Sequence, residues 1–378
     1  MAGHICVDFT PPFVSKPAES KGRLEEFLTP GKLIQVEAAH VHPGGVVVNT
    51  GLTMRFLGAN VILMGKIGDD PFGHIVRDFL EEYNAADRLT TDSSVNTSYT
   101  IVLAPPGIDR VFLHHPGAND TFTADDINYE SCDDALLFHF GYPPLMRKMY
   151  QNNGAELAEI FRRVKGKGCM TSLDMAAVDE ASEAGQADWQ MILKNTLPYV
   201  DFFMPSVEEI CFMLDRSKYH ALREKAADKD VTQILSIWED VAPLAERLLD
   251  MGCKLALIKC GAAGLYCQTG DDASFAQLRA SADLKFEDFA NKSIFERSFV
   301  PETVLSGTGA GDAAIGTFLT ALTKGCSLEW CLRFAAAEGA CCVEALDALG
   351  GLKPIDVLKA KIQGGWEQQY ILPEDSRN

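Results

Sequence analysis

Short runs of apolar residues alternate with amphipathic stretches along most of the chain. The apolar runs predict strands at 4–9, 60–65, 135–141, 169–175, 201–205 and 254–260. Between them, the spacing of apolar positions predicts helices at 46–58, which ends on a glycine, and at 72–83, 154–168 and 241–252. Apolar strands joined through helices are typical of a mostly parallel sheet with helices on both faces. The pattern therefore predicts an α/β fold.

Two stretches, 30–43 and 97–116, alternate apolar and polar residues instead. Such alternation predicts antiparallel strands with one face open to solvent. We expect them to form a small sheet that projects from the α/β body as a lid. The chain shows no clear linker, so we expect one domain over 1–378, with lid segments at about 10–43 and 95–118.

Composition narrows the classes of function. The chain carries 34 basic and 53 acidic side chains, a formal net charge of −19. Because such a surface repels phosphate backbones and anionic lipids, we expect no nucleic-acid partner and no membrane partner. Eleven scattered cysteines without a C-x-x-C pair are typical of reduced thiols. No signal peptide is visible and no apolar stretch reaches the ~18 residues of a membrane span, so we expect a cytoplasmic protein.

The segment VLSGTGAGDAAIGTFLTALTKG, residues 304–325, leads from a glycine-rich turn into a helix. Gly307, Gly309 and Gly311 allow a tight turn that presents consecutive backbone N–H groups. The start of the helix adds its dipole and its unpaired amides, so the segment predicts an anion site. Asp312 lies at the helix start, where its carboxylate could accept a proton from an attacking hydroxyl. The alternative is that Asp312 only bonds the amides of the first turn.

A second glycine-rich segment spans 42–73. Gly44 and Gly45 would let a ligand approach the backbone. Asn49 lies one turn into the next helix among valines, where its amide needs a partner, either a substrate hydroxyl or a neighbouring backbone group. Asp8 ends the first predicted strand, and such strand ends line the ligand crevice of open α/β sheets. Asp8 could therefore bind sugar hydroxyls, or it could cap a loop.

Together, the two segments resemble the signatures of the ribokinase-like (PfkB) carbohydrate kinase family. The family's D-T-x-G-A-G-D signature corresponds to residues 306–312, and IKCGAAG at 258–264 resembles its nucleotide turn. Its N-terminal signature corresponds to Gly44, Gly45, Asn49, Gly58 and Gly68. The resemblance covers nearly the whole chain. It implies a three-layer α/β/α sandwich with a mostly parallel central sheet and a small β-sheet lid.

The resemblance also implies a function, the ATP-dependent phosphorylation of a hydroxyl of a sugar or sugar derivative, with Asp312 as the base. The amides of Gly309, Ala310 and Gly311 would form the anion hole for the γ-phosphate. The substrate would be held by Asp8, Gly44, Gly45 and Asn49. ATP would lie near Ser206, Glu209, Lys259, Gly261, Gly264 and Thr308. Mg²⁺ would be organised through water by Glu209.

Three departures from the family pattern bear on the cofactors and on the function. Ser306 and Gly307 replace the usual Asp-Thr at the loop of the family's monovalent-cation site, so dependence on such a cation stays open. Ser206 stands where the magnesium-organising N-x-x-E motif has Asn. These departures leave open a catalytically weak sugar-binding or regulatory protein. A nucleoside kinase of the same fold also stays open, because the lid sequence neither shows nor excludes an apolar slot for a base.

The lid raises two further expectations. Its edge strands and open apolar face predict a homodimer formed through the lid, as relatives in the family often form. His114 and His115 follow each other on a predicted lid strand, so at most one of them is expected to face a substrate. His139, near the end of another strand, either approaches the substrate or belongs to the core.

Overall fold

A computed structural model describes residues 1–13, 28, 30–103, 111–227, 229–281, 284 and 286–372. Parts of the expected lid, at 14–27, 29 and 104–110, lie outside the described residues. The strands are β1 (Ala2–Gly3), β2 (Cys6–Thr10), β3 (His40–Gly44), β4 (Lys66–Gly68), β5 (Thr90–Asp92), β6 (Tyr99–Leu103), β7 (Val111–His115), β8 (Leu137–Gly141), β9 (Met170–Leu173), β10 (Phe202–Phe203), β11 (Leu255–Lys259), β12 (Gly264–Thr269) and β13 (Ser293–Arg297).

The helices predicted from the sequence are present, with small differences at their ends, and further α-helices lie between and after them. The α-helices are α1 (Val46–Phe56), α2 (Pro71–Glu82), α3 (Arg147–Tyr150), α4 (Ala155–Gly166), α5 (Trp189–Thr196), α6 (Val207–Leu214), α7 (Arg216–Ala226), α8 (Ala242–Asp250), α9 (Asp272–Ser281), α10 (Ala310–Thr323), α11 (Leu328–Cys342) and α12 (Ile355–Gln363). Gly58 follows α1 with a left-handed φ of 84°, as a glycine at a helix end is expected to do. In the described ranges, no helix is both long enough and apolar enough to cross a bilayer.

The central sheet has the strand order β1-β8-β9-β10-β11-β12-β13. The first five strands pair in parallel, and β12 and β13 extend the sheet in antiparallel fashion. The prediction of a mostly parallel sheet is confirmed. The sequence prediction missed β12 and β13, because β12 begins in a glycine turn and β13 has only two apolar residues, Ile294 and Phe295, unlike the continuous apolar runs of the inner strands.

Helices cover both faces of this sheet and enclose two cores. Along each inner strand, consecutive side chains enter opposite cores: Phe202 enters one and Phe203 the other. Helices α4, α5, α6 and α8 pack on the face that includes Phe203. Helices α1, α2, α10 and α11 pack on the face that includes Phe202. The arrangement is the three-layer α/β/α sandwich that the resemblance implied.

The small sheet has the order β3-β2-β6-β7 and differs in two ways from the prediction. The strand predicted at 4–9 corresponds to β2, which starts at Cys6 and belongs to the small sheet, whereas β1 precedes the predicted run and belongs to the central sheet. Asp8 therefore lies within the small sheet, so the prediction that it ends a strand of the central sheet was wrong. Of the stretch 30–43, only the part from His40 onward forms a strand, apart from a single bridge between Phe13 and Val36.

The strand predicted at 60–65 was also misplaced. The strand in this region is β4, which starts at Lys66 and pairs with β5 in a separate two-stranded sheet. Met64 makes one isolated bridge to Ala2 at the edge of the central sheet. The apolar run that suggested a strand is buried instead through Val61, Leu63 and Met64, which pack into the two cores.

Glu338, a fully buried residue of α11, makes the stability of the fold depend on pH. Its Oε1 accepts the backbone N–H of Lys353 at 2.8 Å, and burial raises the pKa of Glu338 to about 7. Between its ordinary pKa of 4.5 and about 7, the folded state holds a proton that the unfolded chain releases. The free energy of unfolding therefore falls as pH rises through this window.

We expect Glu338→Gln to gain stability relative to wild type between pH 5 and pH 8, by up to about 3 kcal/mol, because glutamine has no charge to desolvate. Urea unfolding at both pH values measures the difference. Glu329→Gln, an exposed site on the same helix, is the control and should show no such trend. A variant whose stability follows wild type at both pH values would contradict the assignment.

Candidate active site

Neutral hydrogen-bond donors surround the carboxylate of Asp312, the third residue of α10. Asp312 is only 4% exposed. Its Oδ2 accepts from Asn49 Nδ2 at 2.9 Å, its Oδ1 from Thr50 Oγ1 at 3.3 Å, and the Tyr142 hydroxyl lies 2.8 Å from both oxygens. Burial raises the pKa of Asp312, and the hydrogen bonds together with the charge of Lys259 offset only part of that rise. The Asn49 amide thus finds its partner in Asp312.

The close packing of α1 against α10 brings these groups together. Gly316 lies where the two helices approach: a Cβ at this position would be 3.0 Å from the carbonyl oxygen of Thr50 and 3.0 Å from Thr53 Cγ2. A larger residue would push the helices apart and move Asn49 away from Asp312.

The glycine turn before α10 leaves backbone amides available to a ligand. Gly309 is the N-cap residue, with a left-handed φ of 78°, and a Cβ there would lie 2.2 Å from the Cβ of Ala348. The first bond of the helical ladder is Ala313 N–H to Gly309 O at 2.8 Å, so the earlier amides of the turn precede it, and Ala310 N–H makes only a long bond of 3.5 Å to Gly307 O. Gly309, Ala310 and Gly311 are partly exposed, so an anion can reach them.

Lys259 brings a cation to this turn. Its Nζ would lie 3.7 Å from a Cβ at Gly311, and it forms an ion pair with Asp174 Oδ1 at 2.7 Å. Burial alone would lower the pKa of Lys259, but the carboxylates of Asp174, Glu209 and Asp312 raise it overall, so the lysine stays charged. The sequence analysis missed Asp174; the signal was an acidic residue directly after a buried strand, in SLDM.

Ser206 and Glu209 form a reciprocal cap at the start of α6. The backbone N–H of Ser206 donates to Glu209 Oε2 at 2.6 Å, and the N–H of Glu209 donates to Ser206 Oγ at 3.3 Å. Serine and asparagine are both good N-cap residues, so Ser206 keeps the helix start that Asn provides in the family motif. The S-x-x-E pattern was readable in the sequence. Glu209 is partly exposed and lies near Lys259.

The remaining residues of the predicted nucleotide region lie around these groups. Gly261, exposed with a left-handed φ of 54°, comes two residues after Lys259. Gly264 has φ 133°, and a Cβ there would be 2.1 Å from the carbonyl oxygen of Glu296, so packing against β13 already requires a glycine. Thr308 is partly exposed in the glycine turn, where its N–H donates to Ser306 Oγ at 3.1 Å.

Asp8 presents a partly exposed carboxylate from the small sheet. Gly44 lies directly beside it, since a Cβ on Gly44 would be 2.1 Å from Asp8 Oδ2. Burial raises the pKa of Asp8, partly offset by the hydrogen bond from the Cys6 thiol at 3.3 Å. Gly45, with φ 84°, leaves similar room for His4, whose Nδ1 would be 2.7 Å from a Cβ there. The absence of side chains at Gly44 and Gly45 therefore leaves space for the Asp8 carboxylate and the His4 ring.

The histidines of β7 divide between the two faces of the small sheet, as the alternation predicted. His114 lies opposite Thr100, which in turn lies opposite Asp8, so the three share one face. His114 Nδ1 is 3.0 Å from Thr100 Oγ1. His115 instead contacts Tyr99, with the rings tilted by 40° and their centroids 5.3 Å apart.

The rings of His139, His4 and Tyr142 lie around the site. His139 is a core residue that bonds Ser172 Oγ at 2.9 Å, and burial lowers the pKa of His139 to about 3, so it stays neutral. The sequence analysis overlooked His4 and Tyr142. The ring of His4 lies between those of Tyr142, at 5.9 Å, and His114, at 5.4 Å, and so connects the lid to the surroundings of Asp312.

The architecture is that of the ribokinase-like enzymes. The chain superposes on a putative ribokinase II from E. coli in complex with ATP and Mg²⁺, with a TM-score of 0.68 and 18% identity over 96% of this chain and 98% of that one. At this identity the likeness shows the fold.

The protein belongs to the pfkB family of carbohydrate kinases, whose family model matches residues 18–353. An uncharacterized sugar kinase of Archaeoglobus fulgidus is 26% identical over 78% of this chain and 96% of its own length. Fructokinase-2 of Oryza sativa subsp. japonica is 25% identical over 85% of this chain and 84% of its own.

Proposed function

We propose that this protein transfers the γ-phosphoryl group of ATP to a hydroxyl of a sugar or sugar derivative, with Asp312 as the base. The observation that carries the proposal is the convergence of three groups: the Asp312 carboxylate, the amides of the glycine turn, and the Lys259 ammonium. Phosphoryl transfer needs positioning and charge neutralisation more than covalent chemistry, and these groups supply both.

In the proposed reaction, the substrate hydroxyl gives its proton to Asp312 while its oxygen attacks the γ-phosphorus. The bond from phosphorus to the leaving oxygen breaks, and ADP departs with the electron pair. The amides of Gly309, Ala310 and Gly311 would stabilise the charge on the transferring group. Lys259 would add a positive charge from the side of the central sheet. The raised pKa of Asp312 brings this carboxylate closer to the pH at which it both releases and accepts a proton.

The sugar would lie between the two sheets, held by Asp8, Gly44, Gly45 and Asn49. Asp8 and Asn49 supply a carboxylate and an amide, which suit hydroxyl groups, and both are partly exposed. Asn49 also touches Asp312, so a hydroxyl bound beside it would lie next to the base. The names of the sugar kinase and fructokinase relatives support a sugar over other alcohols.

ATP would lie along Ser206, Glu209, Lys259, Gly261, Gly264 and Thr308. Mg²⁺ would neutralise charge on its phosphates. Over the described residues, no group of three or more His, Cys, Asp or Glu side chains could hold a metal alone. This fits a magnesium ion bound mainly by phosphates and water, with Glu209 reaching it through a water molecule. Because Ser206 already bonds Glu209 Oε2, the other carboxylate oxygen would accept that water.

A phosphorylation assay over a panel of neutral sugars, sugar acids and nucleosides tests the proposal. We expect Mg²⁺-dependent formation of ADP and a sugar phosphate, with at least one neutral sugar turned over fastest. If only nucleosides were phosphorylated, the protein would be a nucleoside kinase and not a sugar kinase. Saturable sugar binding without turnover would indicate a regulatory protein. Retention of both Asp312 and Lys259 in the site favours the enzyme.

We also propose that the protein is a homodimer formed through the small sheet. The outer strands β3 and β7 carry exposed apolar side chains, including Val41, Phe112 and Leu113, which a second subunit would cover. Light scattering at micromolar concentration should give twice the chain mass, and Leu113→Glu should give the monomer. Met191→Glu, at an exposed site on α5, is the control. A monomeric wild type would rule out this assembly.

We place the protein in the cytoplasm on the state of its thiols. All eleven cysteines are free, and ten of them are buried. A chain with this many unpaired thiols suits a reducing compartment.

A further inference from the structure

Tyr142 has an unusual backbone conformation directly beside the base. It follows β8 with φ 63° and ψ 40°, the left-handed region that non-glycine residues rarely adopt. The neighbouring Gly141 packs against the first turn of α1, since a Cβ there would be 2.4 Å from Val46 Cγ2. Pro143 follows and restricts the chain further. Such conformations persist where the surrounding structure imposes them, and they cluster at functional sites.

The backbone conformation of Tyr142 brings its hydroxyl to the carboxylate of Asp312. An ionised carboxylate offers about four acceptor positions. Asn49 takes one on Oδ2 and Thr50 takes one on Oδ1. The Tyr142 hydroxyl lies 2.8 Å from both oxygens, between them. Since a phenol has one proton, it donates to one oxygen at a time, and its place between the two oxygens holds the carboxylate in one plane.

We infer that Tyr142 is a positioning residue of the reaction, which fixes the plane of the Asp312 carboxylate by its hydrogen bond and so orients the base toward the substrate hydroxyl. The inference rests on the proposed function and deepens it. Tyr142 is suited to this role because it is partly exposed, next to the space that a substrate would enter. Its ring is kept in place by His4, at a centroid distance of 5.9 Å.

The charged and titratable groups around Asp312 come from several elements. They are Tyr142 after β8, Asp174 after β9, Glu209 on α6, Lys259 on β11 and Cys342 on α11. Burial and the nearby carboxylates raise the pKa of Tyr142 well above its ordinary value, so the phenol keeps its proton and acts as a donor. Its hydrogen bond lowers the pKa of Asp312 against the effect of burial.

Tyr142→Phe removes the donor and keeps the ring. We expect kcat at pH 7 to fall about 10- to 30-fold, the order lost with a hydrogen bond to a charged group. The acid limb of the kcat/KM profile should shift upward by about one pH unit, because the base loses a donor that favours its ionised form. KM for the sugar should change little. Tyr83→Phe, at a surface residue 40% exposed, should leave the profile unchanged.

A second measurement keeps the inference testable if no substrate is found. Carboxyl ¹³C NMR titration follows the pKa of Asp312 without turnover, and the Asp312→Asn variant identifies its signal. Tyr142→Phe should raise that pKa. An unchanged pKa together with an unchanged acid limb would overturn the inference. A higher kcat with a lower KM would also overturn it, since the phenol would then be competing with the substrate. Failure of wild type to phosphorylate any alcohol rejects the proposed function alone.

Discussion

Asp312→Asn is expected to lower kcat by about 10³- to 10⁴-fold, the contribution of a well-placed general base. Asparagine occupies the same space but cannot take the proton of the substrate hydroxyl. Binding of ATP should change less than about threefold, because the amides of the glycine turn and Lys259 remain. Single-turnover kinetics measure the chemical step, and fluorescence titration with an ATP analogue measures binding.

The matched control is Asp356→Asn. Asp356 also lies in the first turn of a helix, α12, but is exposed to solvent. Its replacement removes the same charge from a helix start and should leave kcat unchanged. If Asp312→Asn kept more than about a tenth of the wild-type kcat, the proton would have to go elsewhere and the assignment of the base would be wrong.

Lys259→Met is expected to give the second largest loss, about 10²- to 10³-fold in kcat/KM, because a cation beside the anion hole is removed. Methionine retains the apolar stem and fills most of the same volume. Both kcat and the affinity for ATP should fall, since Lys259 would contact the phosphates before and during transfer. Replacing another residue of β11 by one of similar size and the same charge should change neither kcat nor the affinity for ATP.

The variant also leaves Asp174 without its cation, and this allows structure and catalysis to be separated. Breaking a buried ion pair costs about 3–5 kcal/mol when the remaining charge is retained. Burial already raises the pKa of Asp174, so the carboxyl in Lys259→Met will hold its proton at neutral pH and ionise only as pH rises. The stability lost by Lys259→Met should therefore be small at pH 6 and larger at pH 9.

Adding Asp174→Asn to Lys259→Met removes the charge that has no partner. The double variant should regain the stability at pH 9, measured by urea unfolding, while its kcat/KM stays as low as that of Lys259→Met. Recovery of activity along with stability would mean that Lys259 acts only through the fold. The double variant thus distinguishes a phosphate contact from a structural ion pair.

The sequence was most informative where local chemistry determines the structure. The inner strands are continuous apolar runs because both of their faces are buried, so periodicity revealed them. The turn at Gly309 and the helix start at Asp312 follow from glycines and unpaired amides, which are local properties as well. These features lie close together in the chain, and reading them required no knowledge of tertiary contacts.

The sequence was less informative where two distant segments meet. Nothing near Tyr142 in the chain shows that its hydroxyl lies 2.8 Å from Asp312, which is 170 residues away. Asp174 and Lys259 likewise meet only because their strands end at the same edge of the sheet. Asp8 was misplaced because the apolar run at 4–9 gives no sign that it belongs to the small sheet, when the central sheet already contains the two residues Ala2 and Gly3 just before it.

That transition between the sheets has a mechanical consequence. The linking residues are anchored on both sides: His4 N–H donates to Gly141 O at 3.3 Å, and Asn119 bonds both the N–H and the carbonyl of Ile5, at 3.2 and 2.9 Å. Along β2, a swing of the small sheet would therefore pivot near Ile5. Asp8 is three residues from this pivot, a lever arm of about 10 Å, so a 10° swing displaces it by only about 2 Å. Strands further from Ile5 would move more, so the space beside the small sheet could widen while Asp8 stays nearly in place.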